Sequence, residues 1–482
     1  MLFLAVGYFI LYNSVCTTPL APGYRILKES REVRFVGGRS PELRIRANFT
    51  LENTGNGELK FVDVIFPDEK VFGRRNLHAQ LDSRDAMLSK LPEEYQHDAP
   101  NTLRMTLEPA WAHKQKRELV IEYALSSPED PGARIAISEN SFHLGFRGWF
   151  SVLQPPKHVL AAYPNRPDKT MVSIRVPPDF LVLSRGTPAG RKQQGGDMEH
   201  RFLLRQDDLA PYVVAGSYTE SSSHGKSNSA IFWTLAPLKE DPTSAEYRIA
   251  AAWNVLQTDF GPLDRNIRFP RVVECPNLRA HTVGEEGPAA ASFPGGALVN
   301  SEALALGISS EAFLEKMTHA LAHDWFGNEL YPTSDAAIGM GEGLPDYAAI
   351  VIDEARKGNA ARQQRVNGLL RAYDGALKQA AEKPLGVTTM LDPPEQRRIA
   401  LAKAPLFFIA LEDLYGEAPV RAGLNRMVTL LRGREVGYDD LRAALEESTG
   451  KNLADLFRIW LYGKGIPKGF RERYQTAIEM QP

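Results

Sequence analysis

The hydrophobic pattern changes its period once along the chain. Between residues 24 and 218, apolar side chains recur at every second position. "LRIRANFTLENTGNGELKFVDVIFP" holds two such runs, and "RELVIEYALS" (117–126), "MVSIRVPP" (171–178), "FLVLSRG" (180–186) and "HRFLLRQ" (200–206) continue them. That period puts one face of a strand inside and the other in water. Asn53, Gly55, Asn56 and Gly57 all tolerate a positive φ, so a turn is predicted between the first two runs. Many short strands separated by turn signals predict an antiparallel sandwich or saddle-shaped sheet rather than βαβ units.

"TESSSHGKSNS" (219–229) has almost nothing to bury and reads as a linker. Past it the spacing is helical, in "SAEYRIAAAWNVLQTDFG" (244–261), "SSEAFLEKMTHALAHDWFG" (309–327), "LPDYAAIVIDEARKG" (344–358) and "AARQQRVNGLLRAYDGALKQA" (360–380). Ser309 and Ser310 suit the N-cap of the second of these, and Gly327 suits its end. The charged run "RQQRV" (362–366) predicts a solvated helix face, and Cys275 in "VVECPNL" a core thiol. The expectation is an α+β multidomain protein with a β domain at 24–220, a linker at 221–230 and a mainly helical domain at 231–482.

Composition narrows the partners. With 57 basic and 59 acidic residues the net charge is −2, which gives no general pull toward nucleic acid. The only cysteines are Cys16 and Cys275, so any metal must be held by histidine and carboxylate. The N-terminus is apolar from Met1 to Tyr12. That is short of the roughly 18–20 residues of a membrane span and suits a signal h-region, so residues 1–23 are read as an export signal or membrane anchor and the protein as extracytoplasmic. A buried N-terminal strand is the alternative.

Candidate chemistry sits in "THALAHDWFGNEL" (318–330). His319 and His323 are four residues apart and share one face of a helix, as two ligands of one metal must. Two packed or surface histidines would give the same spacing. A catalytic zinc needs a third protein ligand, and Glu342 in "GMGEGLPDYAAI" opens the next predicted helix. Gly341 and Gly343 on either side of it allow close backbone approach. Asp335 and Asp346 compete for the role, and spacing alone does not choose.

The stretch resembles the aminopeptidase-N (membrane alanyl aminopeptidase) family of gluzincin zinc peptidases. That family has H-E-x-x-H followed by W-F-G-N, then an N-E-G-type ligand after eighteen intervening residues. Here stand His319, His323, Trp325-Phe326-Gly327-Asn328, and Glu342-Gly343 at the matching distance. "VPPDFLVLSRG" (176–186), "DLAPYVVAGSY" (208–218) and "ALEESTGKNLADLFRIWLYGKGIP" (444–467) extend the likeness over about residues 40–475. The resemblance implies a thermolysin-like domain with one Zn²⁺ on His319, His323 and Glu342, acting on peptides or proteins, in a short form without the family's C-terminal helical domain.

Three positions depart from the family. The general-base glutamate of H-E-x-x-H is Ala320. The G-A-M-E-N segment reads "GALVN" (296–300), where Gly296 and Ala297 still offer a strand edge to a peptide but Val299 replaces the amine-binding glutamate. The Y-x-K-G segment aligns with "LAKA" (401–404), so Leu401 stands where a tyrosine would steady the oxyanion. The expectation is a peptidase with impaired or lost hydrolysis, or a non-catalytic zinc-containing peptide- or protein-binding module. Compensation by Asp324 or Tyr373 is one other outcome, and a laboratory Glu-to-Ala change in an active enzyme is another.

Overall fold

The computed structural model describes residues 23–91, 101–127, 135–145, 148–153, 167–205, 212–221, 229–263, 269–278 and 289–479. The segment expected to direct export, and most of the expected linker, lie outside these residues. No helix among the described residues is long and apolar enough to cross a membrane. The chain separates into two compact units, 1–217 and 218–482.

The first unit is built of strands. Its largest sheet orders Thr187–Gln194, Asp197–Arg205, Lys169–Val176, Tyr24–Val36, Glu42–Asn53, Lys116–Ser126, Arg75–Leu81 and Arg84–Asp85. The alternation read from the sequence becomes one buried face here, with Val33, Ile45, Phe49, Ile121 and Ile174 at 0–1% exposure. The sheet is mixed where a purely antiparallel one was expected. Tyr24–Val36 pairs in parallel with Lys169–Val176, because the chain leaves the sheet and returns beside its first strand in the same direction. The two runs around "NTGNG" do not pair either: Glu42–Asn53 lies in this sheet and Leu59–Ile65 in another. None of the four turn residues takes a positive φ. Asn53 holds the turn with its side chain, accepting from the Gly55 amide at 2.9 Å and donating to the Trp111 carbonyl at 2.6 Å.

A third sheet orders Leu181–Ser184, Val213–Gly216, Ser141–Leu144 and Ile135–Ile137. Ser141–Leu144 is buried at every position, so it carries a histidine, His143, into the apolar interior. Neither nitrogen of its ring has a hydrogen-bond partner among the described residues.

In the second unit, β1 (Thr219–Ser221), β2 (Ile231–Thr234), β3 (Arg271–Glu274), β4 (Ala290–Phe293) and β5 (Gly296–Val299) form a sheet in the order β1-β2-β3-β5-β4. β2 and β3 run parallel and are joined through helix α1 (Thr243–Phe260). Four further helices carry the argument: α2 (Glu311–Ala322), α3 (Gly343–Lys357), α4 (Asn359–Leu377) and α5 (Pro394–Tyr415). α2 packs on β4 and β5, and α4 packs against both α3 and α5. With neighbours on two sides of α4, the solvated reading of "RQQRV" holds only in part: Gln364 is exposed, whereas Arg362 and Val366 are buried. Arg362 is 5% exposed and donates to Glu412 at 2.6 Å and to Glu354 at 3.0 Å.

Cys275 is a free, buried thiol, and burial pushes it up to about 12, so it stays protonated and inert.

Candidate metal centre

Ser310 caps α2 by accepting from the Phe313 amide at 3.1 Å, as its sequence position predicts. The α-helix ends earlier than the apolar pattern implied. At His323 it widens into a π turn over Asp324–Glu329, with Phe326 and Gly327 outside helical geometry. A Cβ at Gly327 would lie 3.3 Å from His323 Nδ1, so this glycine makes room for the imidazole.

The turn also ties the metal helix to the sheet. Asp324 is buried and accepts from the Gly295 amide at 2.7 Å, at the bend between β4 and β5. Asn328 donates to Ser292 on β4 at 3.1 Å and to Asp324 at 3.3 Å. Asp324 is therefore engaged in holding the hairpin. Tyr373 is equally committed: it is 0% exposed and donates to Glu382 at 2.7 Å.

His319, His323 and Glu342 come together with one donor atom each facing a common centre. The two Nε2 atoms are 3.0 Å apart, and Glu342 Oε2 lies 3.5 Å from the first and 3.6 Å from the second. Ligands about 2.0–2.1 Å from a tetrahedral zinc would be about 3.3–3.4 Å apart, so the triangle fits that ion. Of the competing carboxylates, Asp335 accepts from Thr333 at 2.6 Å in an exposed turn. Asp346 is one turn past Glu342 on α3, and its Oδ1 lies 2.8 Å from His319 Nδ1. A carboxylate there fixes the tautomer, leaving Nε2 bare for a metal. Asp346 thus braces His319 from outside the cluster of His319, His323 and Glu342, a placement its spacing of four from Glu342 could have signalled.

Burial opposes charge on His319, yet the Asp346 and Glu342 carboxylates raise it to about 10 in the metal-free protein. Burial likewise opposes charge on Glu342, but the two imidazoles, His323 first, hold it below the usual carboxylate range. Together the two imidazoles and the Glu342 carboxylate form a group that could hold a metal ion. Replacing Asp346 with alanine should weaken zinc binding about 10–100-fold without changing its stoichiometry. Competition against a chelating dye would measure this, and an unchanged affinity would count against the supporting role.

The departures also have places. Ala320 is 1% exposed, packed among the apolar residues under α2. Leu401, on α5, lines a hollow that also contains Asp346. Gly343 meets α5 closely, since a methyl on it would stand 2.6 Å from the Ala404 methyl, whereas Gly341 has only ordinary contacts.

The peptide-edge reading of Gly296 and Ala297 needs correction. β5 is an inner strand, pairing with β3 on one side and β4 on the other, so it has no free ladder. Gly296 lacks a side chain because a Cβ there would fall 2.1 Å from the Arg271 carbonyl of β3. Val299 is buried in the core. The edge belongs to β4, whose residues are Ala290, Ala291, Ser292 and Phe293.

No family model matches the sequence, and no curated protein does. Solved structures do. The M1 zinc metallopeptidase from Deinococcus radiodurans superposes with a TM-score of 0.61 over 94% of this chain and 96% of its own, at 17% identity. The chain has the fold of the M1 zinc metallopeptidases. A glutamate-to-alanine mutant of the Deinococcus radiodurans M1 zinc metallopeptidase, bound to Tyr-Ser-Ala substrate, matches with a TM-score of 0.61, 18% identity and coverage of 92% and 95%. A similar mutant of a two-domain M1 zinc metallopeptidase, bound to L-tryptophan, matches with a TM-score of 0.62, 18% identity and coverage of 93% and 97%. At such identities the M1 likeness speaks for architecture.

Proposed function

We propose that this chain holds one zinc ion on His319, His323 and Glu342 and binds peptides beside it, with hydrolysis severely weakened. One observation carries the reading. The ligand set is complete down to the Asp346 support of His319, while the two positions that would serve the reaction hold Ala320 and Leu401. M1 structures of the same fold have been crystallised with a tripeptide substrate and with amino acids, in mutants with a glutamate replaced by alanine. These support the peptide cleft.

Zinc, when bound, supplies Lewis acidity toward a carbonyl. Everything else falls to side chains. Ala320 can accept no proton, and lack of a general base costs roughly 10²–10⁴ in rate. Leu401 can donate no hydrogen bond to a developing oxyanion, a loss of about 10²–10³. The two candidates for compensation that the sequence offers are engaged elsewhere, Asp324 with Gly295 and Tyr373 with Glu382.

The test measures zinc content and turnover of a mixed peptide library. The wild type should carry one zinc per chain and cleave at or near background. Ala320→Glu alone should recover little, and the double variant with Leu401→Tyr should exceed it by at least tenfold. Absence of zinc even after soaking, or robust turnover by the wild type or by Ala320→Glu alone, would overturn the reading.

A further inference from the structure

We infer that the hollow beside the metal centre is a subsite for a carboxylate-bearing residue of a bound peptide, read by Arg398. The inference rests on the peptide reading above and names what that site prefers. The hollow encloses about 430 Å³ between α4 and α5, within the ~300–1,000 Å³ typical of small-ligand sites. Asp346 forms part of it, so the hollow reaches the residue that grips His319. Its walls are apolar, from Leu369 and Ala376 on α4 and Leu401 and Ala402 on α5. Gln379 and Arg398 supply the remaining polar lining.

Arg398 precedes Leu401 and Ala402 by three and four residues and so shares their face of α5. Several arginines of this unit are paired, among them Arg421 with Asp259 at 3.0 Å, Arg426 with Glu447 at 2.7 Å and Arg471 with Asp374 at 2.8 Å, but of the arginines only Arg398 lines this hollow among the described residues. Arg398 has no carboxylate within ion-pair distance among the described residues, and its one hydrogen bond there is a 3.5 Å contact to Gln379. A guanidinium presents a planar pair of donors that matches a carboxylate, and the apolar walls suit the side chain of the residue bearing it. At the sheet edge, β4 offers no acidic side chain to a peptide's amino end. The other charged group of the hollow, the Asp346 carboxylate, is engaged with His319, which leaves Arg398 as the cation for a peptide's carboxylate.

Zinc-loaded full-length protein is titrated calorimetrically with N-acetyl-Ala-Phe-Leu as the free acid and as the C-terminal amide. A third probe, N-acetyl-Ala-Phe-Glu amide, carries its carboxylate on a side chain. The free acid should bind about tenfold more tightly than the leucine amide. Arg398→Gln should abolish that difference and leave the amide's affinity within about twofold, as expected when one charged hydrogen bond is removed. If the glutamate amide binds like the free acid, a side-chain carboxylate is also accepted, which supports the same chemistry. If it binds like the leucine amide, the subsite takes the chain terminus alone. Equal binding of all three probes, or a preference for the acid that survives Arg398→Gln, overturns the inference while leaving the peptide reading standing. Binding of none of them overturns both.

Discussion

Lys403→Ala should destabilise the second unit by about 3–5 kcal/mol, more than any substitution at the metal centre. Lys403 is 1% exposed on α5, and its ammonium donates to Glu382 and to the Gly463 carbonyl, each at 2.8 Å. Glu382 also accepts from Tyr373 at 2.7 Å and from the Gly465 amide at 2.5 Å. Removing the lysine leaves a buried carboxylate facing two donors with no cation, and an uncompensated buried charge is the costly case. Removing both charges is far less harmful, so Lys403→Met combined with Glu382→Gln should recover most of the loss. Urea unfolding of the three proteins measures this. A Lys403→Ala unfolding free energy within about 1 kcal/mol of wild type would mean that the pair contributes little.

Acid should unfold the first unit early, through His143. Burial alone pushes this histidine down to about 3, because nothing in the strand stack compensates an imidazolium. Its folded pKa lies below the unfolded value near 6.5, so the unfolded chain binds the extra proton between those limits. The neutral ring is therefore no burden above pH 6.5, and stability drains away as the pH falls from there toward 3. The slope is at most about 1.4 kcal/mol per pH unit, or on the order of 3 kcal/mol by pH 4. A His143→Leu variant has no such proton to take up. Comparing the two proteins at pH 7 and pH 4 cancels acid effects elsewhere, including those at the metal ligands. Identical pH dependence would eliminate His143 as the acid-sensitive residue.

The clustering of His319, His323 and Glu342 was legible only in part: a helix converts a spacing of four into a shared face for the two histidines, whereas Glu342 was preferred to Asp335 and Asp346 through the family resemblance and not through spacing. The role of Asp346 was legible in principle from the same spacing, but a carboxylate near two histidines looks alike whether it binds the metal or the imidazole behind it. The free strand edge was misplaced for a different reason. β4 and β5 are the two arms of one short apolar hairpin, and sequence does not say which arm faces outward. The glycine that seemed to welcome a ligand is there to clear the Arg271 carbonyl. Arg362 was misjudged because charge along a helix says nothing about how many helices surround it. The parallel pairing of Tyr24–Val36 with Lys169–Val176 depends on residues more than a hundred positions apart, beyond the reach of local periodicity.

The contact between Gly343 and Ala404 has a thermodynamic consequence. It joins the residue after Glu342 to α5, the helix that forms one wall of the hollow, with no slack between the two backbones. An occupant that displaces α5 must also displace the peptide unit carrying Glu342. By reciprocity, zinc and the occupant of the hollow then alter each other's affinity by the same factor. On the proposed function, the affinity for the metal then reports whether the neighbouring hollow is filled.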